Sequence, residues 1–243
     1  MQRPRFFTRQ TLATGESVVL EEEPARHIGR TLRMQPGDAL VLFNGEGAEY
    51  TAEILSADRK HVEVRCLSAA DPVRESPLAI ELAIGMSRGD RMDWVVQKAT
   101  ELGVTAISPL QTARSGLNLR GERLEKKILH WQRIAASACE QCGRNRLPAV
   151  NLPLSLDDWV AGATTPLRLV LDHRATDASP WPTAPAAIAL LVGPEGGLAS
   201  NEVDSACAQG FRALALGPRV MRTETAPLAA ISVLQARWGD FAL

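Results

Sequence analysis

Lysine is nearly missing from this chain: Lys60, Lys98, Lys126 and Lys127 are its only representatives among 27 basic residues. The positive charge is therefore carried by arginine, whose planar fork suits phosphate oxygens and base edges, although a genome that favours arginine codons would give the same bias. Net charge is −1, so the molecule as a whole is not a polycation that coats nucleic acid. No apolar run approaches the length of a bilayer span. The N-terminus, Met1-Gln2-Arg3-Pro4-Arg5-Phe6-Phe7, lacks the apolar stretch of a signal peptide. The expectation is a cytoplasmic protein with no membrane partner.

Cysteine is sparse too. Cys66 and Cys207 stand alone, and Cys139 and Cys142 fall inside a helical pattern with no second pair and no neighbouring histidine. Reduced helix residues are a better reading of that pair than half a zinc site. His27, His61, His130 and His173 are scattered, so no metal site is expected. The dinucleotide pattern G-x-G-x-x-G and the phosphate loop G-x-x-x-x-G-K-[ST] are both absent. Hydride transfer, P-loop phosphoryl transfer and metal-dependent hydrolysis are poor candidates.

What is present falls into two parts. Up to about residue 70 the sequence reads as short strands: Ala39 to Phe43, Tyr50 to Leu55 and His61 to Leu67, with an Asn44-Gly45 hairpin signal and a short helix over Pro24 to Arg33. Such spacing suggests a small barrel. Ser68 to Pro77 has the composition of a linker. From Leu78 onward strands and helices alternate. Strands are expected at Leu78 to Ile84, Val104 to Leu110, Leu167 to Asp172, Ile188 to Val192 and Ala213 to Leu216. Helices are expected at Asp90 to Leu102 (Asp90 and Asp93 as its capping pair), Glu122 to Gln141, after Ser155, from Ser200 to Gly210 and from Pro227. That alternation means an α/β fold with a parallel sheet.

Ligands in such sheets bind beyond the C-terminal strand ends. Two loops at such ends are dense in glycine: Leu191-Val192-Gly193-Pro194-Glu195-Gly196-Gly197, and Leu216-Gly217-Pro218-Arg219-Val220-Met221-Arg222-Thr223-Glu224-Thr225-Ala226. One such turn would be ordinary. Two after adjacent strands point to a ligand that the backbone approaches closely.

These loops resemble the cofactor loops of the SPOUT class of methyltransferases, and most closely those of the RsmE family, which methylates N3 of a uridine in 16S ribosomal RNA. The likeness runs along the chain, through Arg3-Pro4-Arg5-Phe6-Phe7, His27, Leu32-Arg33-Met34, Gly37-Asp38, Gly89-Asp90-Arg91-Met92-Asp93, residues Gln97 to Gly103, and Gln141-Cys142-Gly143-Arg144. Cys142 replaces the usual serine, and Val220-Met221 the usual isoleucine-leucine; both changes conserve size. The resemblance implies a PUA-like RNA-binding β-barrel over residues 1–70 and a SPOUT-type parallel sheet with a C-terminal trefoil knot over 76–243. It further implies S-adenosylmethionine as cofactor, 16S rRNA of the small ribosomal subunit as substrate, and a homodimer whose active sites draw on both subunits. A SPOUT enzyme acting on transfer RNA, and an RNA-binding protein without catalysis, are the competing readings.

On this reading Leu191, Val192, Gly193, Glu195, Gly196, Gly197, Leu216, Gly217, Val220, Met221, Thr225 and Ala226 line the cofactor pocket. Glu195 reaches either the ribose or only solvent. Arg222 stabilises charge developing on the uracil, unless it merely pairs with Glu224. Glu224 serves as a base, meets the cofactor's amino group, or favours the dipole of the following helix. Arg3, Arg5, Arg9, Arg30, Arg33, Arg88, Arg91, Arg144 and Arg146 are the candidates for RNA phosphate contacts, while Trp94 and Trp131 are expected in the core or a dimer interface.

Overall fold

Period-two burial in the first part of the chain, and apolar runs followed by helical periodicity in the second, build two different sheets. The computed structural model describes residues 3–58, 61–117, 119–176, 181 and 183–242. They form two compact units, Met1–Glu75 with Ala136–Leu147, and Ser76–Ala135 with Pro148–Leu243.

The first unit holds a five-stranded sheet in the order β1-β3-β4-β5-β2: β1 (Arg5–Phe7), β2 (Ser17–Val19), β3 (Ala39–Phe43), β4 (Glu49–Ala57) and β5 (Val62–Ala70). Its inward side chains, among them Phe6, Leu40, Leu42, Ile54, Val62 and Val64, form one core. β1 and β2 are three residues each, too short to show a period in the sequence. The helix expected over Pro24 to Arg33 is a short α1 (Glu22–Arg26) that widens into a π-turn (His27–Leu32), stopped by Arg33 at φ 55°. Residues 136–147, which sequence spacing assigns to the second part of the chain, return to this unit. There Glu140 accepts the Phe7 amide at 2.9 Å, and Arg5 donates to Gly143 O and Asn145 Oδ1.

The second unit carries seven strands, all parallel, in the order β12-β10-β11-β6-β7-β8 with β9 also on β7. They are β6 (Ala79–Gly85), β7 (Ala106–Gln111), β8 (Ala149–Val150), β9 (Leu154–Ser155), β10 (Leu167–Leu171), β11 (Ala187–Val192) and β12 (Arg212–Leu214). The helices are α2 (Arg91–Glu101), α3 (Gly121–Cys142, of which the part from Ala136 on belongs to the first unit), α4 (Leu156–Gly162), α5 (Ser200–Ala208) and α6 (Ala226–Trp238). Strand β11 shows why its sequence is continuously apolar. Ile188, Leu190 and Val192 face a core shared with α2, α3 and α6, while Ala189 and Leu191 face one shared with α4 and α5. Ser155 caps α4 as its spacing suggests, its Oγ accepting the Asp158 amide at 3.1 Å.

The Asp90/Asp93 capping pair does not form, because Asp90 makes no side-chain cap bond and Asp93 is used elsewhere. Asp93 accepts from Lys127 Nζ at 2.9 Å and from the fully buried Trp131 indole at 2.9 Å, and lies 2.7 Å from His130 Nε2. One carboxylate thus fastens α2 to α3. Partial burial opposes its charge, but these three partners outweigh that and hold its carboxyl below the usual range. Trp131 is a core residue, whereas Trp94 is 51% exposed under Lys98.

Asp93→Ala strips the Trp131 N–H of its acceptor, which should cost about 2 kcal/mol, read as a lower thermal midpoint. Because the folded pKa of Asp93 is depressed, its contribution is full above the unfolded carboxylate range and is lost as pH falls through the folded value. The variant's stability should therefore fall less steeply than the wild type's on acidification. Parallel acid limbs would refute the assignment.

Candidate functional site

The order β12-β10-β11-β6 brings four strand ends side by side. The loop after β11 turns at Gly193 for a steric reason. A Cβ there would stand 2.7 Å from Leu198 N and 2.8 Å from Gly197 C, so only glycine lets the loop fold back on itself. The turn is closed by the Gly197 amide on Pro194 O at 2.8 Å, with Gly197 at φ +67°. Gly85, at the end of neighbouring β6, is also obligatory, since its Cβ would meet Pro194 N at 2.7 Å.

The second loop follows β12 and leads into α6. Gly217 adopts φ +90°, and Val220 is 73% exposed. Arg222 O receives the amides of Thr225 and Ala226, both at 2.9 Å, which starts the helix that Pro227 then joins. Thr223 is buried, and its Oγ1 donates to Gly193 O at 2.8 Å, which joins the second loop to the first.

A second link is ionic. Arg91, at the start of α2, donates to Glu195 Oε1 at 2.9 Å and lies 3.7 Å from Glu224 Oε2. Glu195 also accepts the Arg88 amide at 2.9 Å. Desolvation raises the Glu195 pKa, but its own amide, the Arg88 amide and the Arg91 charge together pull it below the usual carboxylate range. Glu195 is thus neither free in solvent nor idle. The expected alternative of an Arg222–Glu224 pair is overturned: Arg91 faces Glu224, and the exposed Arg222 guanidinium has no partner among the described residues. Glu224 Oε2 is buried without a hydrogen-bond donor. Its nearest cation is Arg91 Nε at 3.7 Å, too long for a hydrogen bond, so the oxygen can still accept from an incoming N–H.

Gly193, Glu195, Gly196, Gly197, Leu216, Gly217, Val220, Met221, Thr225 and Ala226 all lie on these two loops or at the start of α6. Leu191 and Val192 do not present side chains to it; both are buried on opposite faces of the sheet, leaving only their backbone at the strand end. Arg88 and Arg91 come to the site. Arg3, Arg9, Arg30, Arg33 and Arg146 are exposed. Arg5 and Arg144 are not surface cations: their side chains are 7% and 6% exposed and paired with Glu49 and Glu75. Buried pairs of this kind are closed to a phosphate.

Sequence reasoning missed two contributors. Arg114 Nη1 donates to Gly196 O at 2.8 Å and supports the first loop. The loop after β10 brings Asp172, gripped bidentately by Arg174, which also reaches Ser200 Oγ at 3.2 Å. Both follow parallel strands at the sheet's C-terminal edge, and that position was the available signal. Among the described residues no helix is long and apolar enough to cross a membrane, and no group of three or more His, Cys, Asp and Glu side chains could hold a metal ion.

Comparison with known proteins gives a consistent set of relatives. The family model described as an RNA methyltransferase domain matches residues 74–235, and an RNA methyltransferase PUA domain matches residues 20–67. The chain is 33% identical to the ribosomal RNA small subunit methyltransferase E of Buchnera aphidicola from Schizaphis graminum, covering 98% of this chain and 97% of that one. It is 31% identical to the protein of that name from Bacillus subtilis, covering 95% of each. Among solved structures, a Legionella pneumophila methyltransferase in complex with S-adenosylmethionine has 42% identity and a TM-score of 0.96, over 99% of this chain and 100% of that one. A Neisseria gonorrhoeae ribosomal RNA small subunit methyltransferase E bound to S-adenosylmethionine has 37% identity and a TM-score of 0.92, over the same shares.

The steric account of the first loop is testable without any ligand. Gly85→Ala should push Pro194 out of place at a cost of about 1–3 kcal/mol. Amide exchange over residues 193–199 should speed up more than in the strands below. Exchange and thermal midpoint both unchanged would show that the loop does not depend on that close approach.

Proposed function

The chain belongs to the ribosomal RNA small subunit methyltransferase E family, and from that premise we propose that it transfers a methyl group from S-adenosylmethionine to N3 of one uridine in 16S ribosomal RNA. The observation that carries this reading is the second loop, which offers one open cation and one open buried acceptor, Arg222 and Glu224 Oε2, beside a glycine-built shelf.

The residues present suit that cofactor. Gly193 lets the first loop turn back on itself, Gly196 lies against Arg114, Gly197 and Gly217 hold positive φ beside open space, and Leu216, Val220, Met221, Thr225 and Ala226 supply a mostly apolar wall. Leu191 and Val192 contribute through the backbone. Glu195, held by Arg88 and Arg91, shapes the first loop. When bound, S-adenosylmethionine supplies an electrophilic methyl group on sulfonium. The chain's part is to bring uridine N3 in line with it, which accounts for much of the expected acceleration. N3 carries a proton that must pass to a base, for which the Glu224 carboxylate is the group at hand, and negative charge then spreads to the uracil oxygens. Arg222 donates to one of those oxygens. Glu224 accepts a hydrogen bond from a ligand N–H through its open oxygen.

The same reading gives the C-terminal segment the trefoil knot of the SPOUT class, gives the N-terminal sheet a PUA-like barrel that holds RNA, and makes the working enzyme a cytoplasmic homodimer. Arg3, Arg9, Arg30, Arg33 and Arg146 remain as its phosphate contacts, whereas Arg91 is committed to Glu195 and Glu224 and Arg88 to Gly116 O.

Incubation with labelled S-adenosylmethionine and small ribosomal subunits lacking the modification should place label in 16S RNA, recovered as 3-methyluridine. Label in transfer RNA instead, or cofactor binding with no transfer, would overturn the proposal. Arg222→Ala should lower turnover by about 100-fold or more with cofactor affinity retained. Unchanged turnover removes Arg222 from the chemistry.

A further inference from the structure

One face of α3 packs into the core through Ile128, Trp131 and Ala135, and the neighbouring face is basic. Arg123, Lys126, Lys127 and His130 follow the i, i+3, i+4, i+7 spacing that puts them in one stripe along the helix. That stripe lines one side of a shallow, open depression of about 530 Å³. Leu117, Leu119, Gly89 and Asp90 complete its lining.

The cations of the stripe are unequal. Lys127 and His130 are both engaged by Asp93 and help fix the stripe. Lys126 reaches Glu122 at 3.3 Å, but both side chains are more than three-quarters exposed, so the pair adds little and is easily exchanged. Arg123 is exposed and has no hydrogen bond or ion pair among the described residues. Two exposed cations therefore share the depression with two leucines and one acid, Asp90. Cations for a phosphate beside apolar side chains for a base make a combination that suits a nucleotide.

The position of the groove matches that chemistry. The segment that carries its lining residues Gly89 and Asp90 is the one that grips the first loop, through the Arg88 amide and the Arg91 guanidinium on Glu195. Arg88 Nε also donates to Gly116 O at 2.7 Å, directly before the lining residue Leu117. A strand of RNA whose target base enters the two-loop site would continue over this segment.

We propose that the groove seats an unpaired stretch of RNA flanking the modified nucleotide, with a base on Leu117 and Leu119 and phosphates on Arg123 and Lys126. This rests on the methyltransferase reading above and adds a substrate subsite to it. Single strands are held by a basic track beside side chains that meet the bases, usually aromatic ones; here leucines would give apolar contact in place of stacking.

The test is the double variant Arg123→Glu/Lys126→Glu, made at exposed positions so that the thermal midpoint should stay at the wild-type value. With protein-free unmodified 16S RNA and with assembled small subunits, KM for RNA should rise about tenfold or more. The slope of log affinity against log salt should become shallower by about 1.4, two single-strand phosphate contacts at about 0.7 each. Affinity for S-adenosylmethionine and turnover at saturating RNA should not change. Leu119→Asp should raise KM without altering the salt slope. A double variant with wild-type KM and salt slope overturns the groove, as does an effect confined to assembled subunits, which would mean contact with a ribosomal protein. If the wild type binds cofactor but labels no ribosomal RNA, the underlying reading fails instead.

Discussion

The hydrogen bond from Thr223 to the Gly193 carbonyl, backed by Arg91 between Glu195 and Glu224, is the constraint on which the site depends. The loops it joins leave β11 and β12, two strands that are not neighbours, since β10 lies between them. Sheet pairing alone therefore does not fix one loop against the other. A partly buried side-chain to backbone bond of 2.8 Å from the buried Thr223 does. The ionic link is half exposed and adds less in energy, but it sets which groups stay open. With Arg91 spent on the two carboxylates, Arg222 remains uncommitted, and Glu224 keeps an unsatisfied oxygen.

Packing beneath the loops explains why they can be so lean. β11 is buried on both faces, with Leu190 and Leu191 fully inaccessible, and Gly85 on β6 lets Pro194 settle against the strand end. The first loop is thus held from below by shape and from the side by Arg114 and Arg88, with no need for large side chains of its own. Backbone polar groups are left at the surface where a ligand can use them. The basic stripe of α3 belongs to the same framework, because Asp93 fastens α3 to α2, and α2 begins at Arg91.

Much of this was legible in the residues. Long periodic segments such as α2, α3 and β11 came through because burial on a face or on both faces leaves a pattern over ten or more positions. The two loops were visible from glycine density after adjacent apolar runs. What was hidden was pairing at a distance. Nothing near Arg91 in sequence announces Glu195, 104 residues on, and Arg5 and Arg144 look like surface arginines until Glu49 and Glu75 are found beside them. Asp93 fits the spacing of a helix cap, but three donors on α3 compete for it and win. The return of residues 136–147 to the first unit was also invisible, because helical spacing runs unbroken through Ala135 and Ala136.

The central claim is that the stitched loops are the S-adenosylmethionine pocket, and an equilibrium titration of the cofactor against Thr223→Val tests it most directly. Valine keeps the shape of threonine and removes the donor, leaving the Gly193 carbonyl unsatisfied at a cost of about 1–3 kcal/mol. With the fold intact by thermal midpoint, cofactor affinity should fall about tenfold or more. Wild-type affinity in that variant would contradict the account, because the pocket would then not depend on the bond that joins its two halves.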